Sequence, residues 1–329
     1  MRFLYLIPLI LLSLQLFSQE KEKQEINFTI VSFNVENLFD TIDDPHKNDN
    51  VFLPEGKKKW NTYKYQKKLN DLANSISSIN TNELPEIVGL CEVENKKVVE
   101  DLIAQSSLKK GKYSVVHEES PDVRGIDNAL IYRSSKFKYL LHKAIKINLP
   151  DKKDKTRNIL YVKGIADKTD TLHIFVNHWS SRIGGMEESE IKRVYAALTL
   201  RREVDSIFRI NHNAKIVILG DLNDEPTNKS IFTILQANNK RKNQEPLELY
   251  NLMYDIHNNG NVGSYNYRGT WNMLDNLIVS QDFFSVTSGF KLKYDSGKIF
   301  NTDSLKESKK KDYSGLSDHF PVYMILTKQ

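Results

Sequence analysis

"KIVILGDLNDEP", residues 215–226, sets the reading of this chain. Its first half is β-branched and apolar, as in a buried strand. Its second half crowds a glycine, two aspartates, an asparagine, a glutamate and a proline into seven positions. A turn accounts for Gly220, Asn223 and Pro226. It does not account for acids at the C-terminal end of a buried strand, which is where α/β sheets hold their ligands. A calcium loop is excluded, because Pro226 stands where that motif requires glycine.

The same ending recurs along the chain. "FTIVSF" (28–33) runs into Asn34 and Glu36, "EIVGL" (86–90) into Glu92, and "LHIFV" (172–176) into Asn177 and His178. "DNLIVS" (275–280) opens with Asp275, and Asp318 and His319 stand just before "PVYMIL" (321–326). Taken singly, such a residue reads as an Asx-turn, a helix cap or a structural histidine. Repetition at strand after strand points to one shared site.

Two stretches carry helical spacing. Leu69, Leu72, Ala73, Ile76 and Ile79 line one face of the first. Ile191, Val194, Ala197, Leu198 and Val204 line one face of the second, with Arg and Glu expected opposite. Strands outnumber helices and no Pro/Gly/Ser linker divides residues 20–329. The expectation is one α/β domain in which helices cover two mostly antiparallel sheets packed face to face.

Residues 1–19 have the layout of a secretory signal peptide: Arg2, an apolar run from Phe3 to Phe17, then Ser18 and Gln19. Pro8, Ser13 and Gln15 interrupt that run, and spanning a bilayer takes about 20 apolar residues. The expectation is export to the periplasm or the medium, with no stable membrane anchor and no obligate protein partner. Removing Arg2 lowers the net charge from +5 to +4, a balance that suits an anionic substrate. Cys91 is the only cysteine, which excludes an intramolecular disulfide, and no Cys/His cluster has zinc spacing.

The ordered set "FNVEN", "CEVEN", "RGIDNALIYR", "NHWSSR", "GDLNDEP", "LDNLIVS" and "SDHFPV" resembles the endonuclease/exonuclease/phosphatase superfamily, of the DNase I-like and exported bacterial type. The resemblance runs from about Phe28 to Tyr323. It implies a four-layered α/β/β/α sandwich and hydrolysis of a phosphate ester with a divalent metal. Mg²⁺ suits such a site because it takes oxygen ligands and needs only one or two protein carboxylates; Mn²⁺ and Ca²⁺ are alternatives.

Carried over by position, the resemblance makes Glu92 the principal metal carboxylate, Asn34 its amide-oxygen neighbour and Asp318 a further acid near the ion. Asp221 and Asn223 would hold the attacking water and a phosphate oxygen. His319, oriented by Asp275, would contact the scissile phosphate. His178 would protonate the leaving oxygen, with Asp127 orienting it. Glu36 is an outer acid and Arg124 a phosphate contact. Substrate choice is not implied by this core. A nuclease acting on DNA or RNA is the first expectation, because lysine-rich stretches at 55–68 (with Trp60, Tyr63 and Tyr65) and 304–315 flank site residues. A phosphatase or phospholipid phosphodiesterase, of the inositol phosphate or sphingomyelin type, is the alternative. A non-catalytic binding protein is a third reading, against which the intact set of acids and histidines stands.

Overall fold

The computed structural model describes residues 25–80, 82–241, 247–260, 262–284, 289–301 and 316–328. The leader expected at 1–19 and the lysine-rich stretch 304–315 lie outside them. Among the described residues no helix is long and apolar enough to cross a membrane.

Two sheets face each other. The first orders β14 (Lys291–Leu292), β16 (Val322–Lys328), β1 (Ile26–Leu38), β2 (Ile87–Val93), β4 (Asp127–Arg133) and β3 (Tyr113–His117) side by side, with β15 (Lys298–Ile299) also on β16. The second orders β5 (Phe137–Ile145), β6 (Ile159–Ala166), β7 (Asp170–His178), β8 (Lys215–Asp221), β13 (Asp275–Ser280), β10 (Leu249–Asn251) and β9 (Ala237–Asn238). The pairs β1/β2, β7/β8 and β9/β10 are parallel, and the remaining pairs are antiparallel. A separate hairpin joins β11 (Tyr265–Tyr267) to β12 (Thr270–Asn272).

Alternation along the central strands produces the layers. Phe28 and Ile30 of β1 point between the sheets and meet Ile174, Val217 and Leu219. Val31 and Phe33 point outward onto Leu69, Leu72 and Ile76 of α1 (Thr62–Ser78). The sheets come so close at Gly89 that a Cβ there would stand 2.1 Å from Leu219 Cδ1. Outside the second sheet, Phe175, Ile216 and Ile218 pack against Ala197, Leu200 and Val204 of α4 (Met186–Ile210). The architecture is the α/β/β/α sandwich expected, with α2 (Lys96–Ile103) beside α1 on the outer face of the first sheet.

The expected face of α1 is the buried one. That of α4 holds at Ala197 and Val204, which are buried, but not at its start. Ile191 is 49% exposed, while Arg193 and Arg201, expected on the wet face, are buried. The reason lies in the opening stretch of sequence. Arg193 Nε reaches Asp224 Oδ1 at 2.7 Å, and Arg193 also donates to Ser189 Oγ and Met186 O. A buried guanidinium with this many acceptors, one of them charged, is tolerated where a lone one is not. Asp224 thus anchors the loop after β8 to α4.

Candidate active site

Sheet register assembles the first half of the site. His178 ends β7, Asp221 ends β8 and Asp275 begins β13, and the ladder sets His178 beside Asp221 and Asp221 beside Asp275. Three reactive side chains therefore occupy one rung across neighbouring strands. From the facing sheet come Asn34, opposite Cys91 in the β1/β2 ladder, and Glu92, the next residue along β2. His319 enters from the segment before β16 and bridges Tyr265 of the hairpin.

The backbone departs from regular strand geometry where these side chains leave it. Glu36, Asn37, Glu92 and Asn223 have φ of 50°, 54°, 65° and 50°. Both ladders shift register there, between Asn34 and Leu38 and between Cys91 and Val93. Each left-handed non-glycine residue costs on the order of 1–3 kcal/mol, and such conformations collect at functional sites. Gly220, with φ 132°, is required: a Cβ there would meet Asn177 O at 1.9 Å.

The contacts form one connected cluster. Asn34 Nδ2 donates to Asp221 Oδ2 at 3.0 Å and to Glu92 Oε1 at 3.3 Å. Glu92 Oε2 accepts from the Asn37 amide at 2.9 Å, and Asp221 Oδ1 from the Asn223 amide at 2.9 Å. His319 Nδ1 lies 2.6 Å from Asp275 Oδ2, while its Nε2 faces Asp221 Oδ2 at 3.7 Å and Asp318 Oδ1 at 3.8 Å. His178 Nε2 faces Asp221 Oδ2 at 3.6 Å and Glu92 Oε1 at 3.7 Å.

Proton affinities follow from these surroundings. For His319, burial alone would favour the neutral ring, but Asp275, Asp221 and Asp318 together outweigh it and hold the imidazole well above its usual range. For His178, burial dominates, and Arg157, Arg124 and His319 add to it, so this ring is held neutral well below the usual range. Burial pushes Asp221 up to about 6, against the pull of His319. Glu36 is raised by burial and then by Asp318. Asp318 is raised by burial and by Glu92, although His319 opposes.

Asn34, Glu92, Asp221, Asn223, Asp275, Asp318, His319 and His178 thus converge as expected, with Glu36 beside Asp318. Three details differ. The Asn34 amide oxygen accepts from the Glu36 N–H at 3.0 Å, so in this structure Asn34 ties two carboxylates together through its amide nitrogen. Asp127 does not orient His178: its carboxylate accepts from the Ser120 amide at 2.8 Å and faces His117, and His178 Nδ1 has no hydrogen-bond partner. His178, being neutral, is a hydrogen-bonding group rather than a standing acid. Arg124 is 44% exposed at its side chain, and its charge reaches His178 from the loop between β3 and β4.

Several site residues escaped the sequence reading. Arg157 lies within "PDKKDKTRN" (150–158), a stretch of surface composition, yet it is buried. It pairs with Asp122 at 3.0 Å and donates to the carbonyls of His178 and Trp179. That clamp fixes the chain at His178, and no periodicity marks it. From the stretch 55–68, Trp60 and Tyr65 pack inward, and Tyr63 is exposed. Lys68 is buried and donates to Leu316 O at 3.1 Å. Burial lowers its proton affinity and Lys58's likewise, while Glu36, Asp318 and Glu92 pull both back up. Both lysines are thus within electrostatic reach of the acidic centre.

The acidic centre fits a divalent cation. Its side-chain donors are carboxylate oxygens, and Glu36, Asp318 and Asp221 are all pushed toward protonation in the absence of further positive charge. Glu92 and Asp318 would hold a hard ion, with Asn34 beside Glu92. Glu92→Gln is expected to weaken Mg²⁺ binding at least about tenfold by calorimetric titration, because the site loses a ligand charge at constant size. Unchanged affinity would remove Glu92 from the ligands.

The family described as Endonuclease/Exonuclease/phosphatase matches over residues 29–328, and the chain belongs to it. No curated protein matches the chain by sequence. Solved structures share the fold. ANGEL2, a 2′,3′-cyclic phosphatase, is 14% identical with a TM-score of 0.60, covering 92% of this chain and 95% of that one. An endonuclease/exonuclease/phosphatase family protein from Bacteroides thetaiotaomicron is 17% identical with a TM-score of 0.59, covering 93% and 99%. D. rerio TDP2, complexed with single strand DNA product, is 14% identical with a TM-score of 0.56, covering 91% and 98%.

Proposed function

We propose that this chain is an exported, divalent-metal-dependent phosphodiesterase whose substrate is nucleic acid, gripped as a single strand. The observation that carries the hydrolytic reading is the placement of His319. It is paired with Asp275 behind, faces Asp221 in front, and is held cationic beside carboxylates drawn from both sheets.

Each residue then has a task. Asp221, fixed by Asn34 and Asn223, accepts the proton of the attacking water. His319 donates from Nε2 to a phosphoryl oxygen, where charge builds up in the transition state. Neutral His178 offers a further hydrogen bond without adding charge. A divalent cation, when bound, polarises the phosphoryl oxygen and stabilises the departing one.

The choice of nucleic acid is supported by the hairpin. The Tyr265 ring lies 4.8 Å from His319, Tyr267 stacks 6.5 Å beyond Tyr265 at 16°, and Arg268 lies 5.1 Å over Tyr267. A row of rings, tilted by 32° at His319 and nearly parallel beyond it, therefore runs from the phosphate centre to solvent, where Tyr267 is 54% exposed. Stacking on such a platform is worth about 1–3 kcal/mol per base and tolerates any base. Tyr267→Ala is expected to raise KM for a single-stranded oligonucleotide about 5- to 150-fold, with kcat little changed. An oligonucleotide with abasic positions should show no such increase. The reading itself is tested by a panel of single-stranded DNA, RNA, plasmid, inositol phosphates and sphingomyelin, with and without EDTA. Cleavage confined to inositol phosphate or sphingomyelin would overturn the nucleic-acid assignment.

A further inference from the structure

We infer a second divalent-cation site, built from His117, Glu119 and Asp127 and distinct from the acidic centre, which clamps the loop that carries Arg124. His117 is the last residue of β3 and Asp127 the first of β4, so residues 118–126 leave and return through this cluster.

The geometry points to a shared ion. His117 Nε2 and Asp127 Oδ2 stand 3.3 Å apart, on side chains only 4% and 1% exposed. Both atoms are buried without a hydrogen-bond partner. Leaving such groups unmet is unfavourable, and more so for a charged one. Ligand atoms of the three residues lie within 4.8 Å of one another. Two atoms bound to one ion at about 2.1 Å, with angles of 90–110°, stand roughly 3.0–3.4 Å apart, and the observed spacing falls in that range.

The surroundings favour entry and orientation. Asp127 Oδ1 is fixed by the Ser120 amide at 2.8 Å, which leaves Oδ2 facing His117. Glu119, 60% exposed at its side chain, opens onto a pocket of about 250 Å³ that Asp40, Asp43, Asp44 and Glu94 also line. These carboxylates concentrate cations at the mouth. Lys47 is the opposing charge. It lies 3.9 Å from Glu119 Oε2 and also donates to the carbonyls of Ser120 and Asp122, so it braces the same loop. One imidazole with two carboxylates suits Zn²⁺ or Mn²⁺ better than the all-oxygen preference of Mg²⁺. The competing arrangement is a plain His117–Asp127 ion pair with no metal.

The test is equilibrium dialysis of the chelator-stripped mature chain against Zn²⁺, and separately Mn²⁺, with excess Mg²⁺ present to occupy the acidic centre. The metal bound is counted by elemental analysis. One equivalent should bind, survive Glu92→Gln, and weaken at least about a hundredfold in His117→Gln and about tenfold in Glu119→Gln. The same ion should raise the melting temperature of the wild type and of Glu92→Gln more than that of Glu119→Gln. Glu119 is exposed, so its variant decides the matter should His117→Gln fail to fold. Failure of both ions to bind overturns the site, as does binding that Glu92→Gln abolishes or that Glu119→Gln leaves untouched.

Discussion

His319→Ala is expected to lower kcat at least about a hundredfold, the scale of a group that contacts the transition state or moves a proton. Asp275→Asn should reproduce most of that loss. The amide would present either a nitrogen or a weaker acceptor at the 2.6 Å contact with Nδ1, and His319 would lose the first carboxylate that raises its proton affinity. Since the cation is the useful form, the asparagine variant should fall further behind the wild type as pH rises through neutrality. The double variant should be hardly worse than His319→Ala alone, because the two side chains act as one unit. Losses that multiply independently would break the pair.

Asp221→Asn is expected to cost about 10²–10⁴ in turnover and, in chelator at pH 8, to make the protein more stable. Asp221 is raised from 3.8 to about 6 by burial. Its folded form therefore holds a proton more tightly than the unfolded chain does. The stability this contributes is full below pH 4 and is lost as pH rises through about 6, which leaves a charge worth about 3 kcal/mol against the fold at pH 8. Asparagine removes that charge. The melting temperature of the variant should exceed that of the wild type at pH 8, and the difference should vanish below pH 4. A variant no more stable than the wild type at pH 8 would show that Asn34 and Asn223 already compensate Asp221 in full.

Much of this was readable from the chain alone. The strands announce themselves by apolar runs, and the acids and histidines at their ends stand out because strand ends are few and their side chains are forced to one place. His319 with Asp275 and Asp221 with Asn34 are pairs of that kind. What stayed hidden depends on partners far away in sequence. The phase of α4 is set by Arg193 meeting Asp224, which hydrophobic spacing cannot anticipate. Arg157 looks like its lysine neighbours until Asp122 is brought beside it. The resemblance gives Asp127, in "RGIDNALIYR", to His178, in "NHWSSR", but the pairing of β3 with β4 brings it to face His117 instead. Tyr265 carried no signal at all, since only the bridge to His319 brings it to the centre.

The rung that joins His178, Asp221 and Asp275 has a consequence for how such a protein can change. Its three strands lie in the middle of a sheet, each hydrogen-bonded on both sides, so the distances among the reacting groups cannot drift without unzipping the interior. The aromatic hairpin lies outside both large sheets, joined by its own two strands, the bridge to His319 and side-chain contacts such as Trp271 on Phe320. It can be lengthened, swapped or repainted with other side chains while the rung stays as it is. On the proposed function, chemistry and choice of target are written into different parts, and descent can revise the second while copying the first.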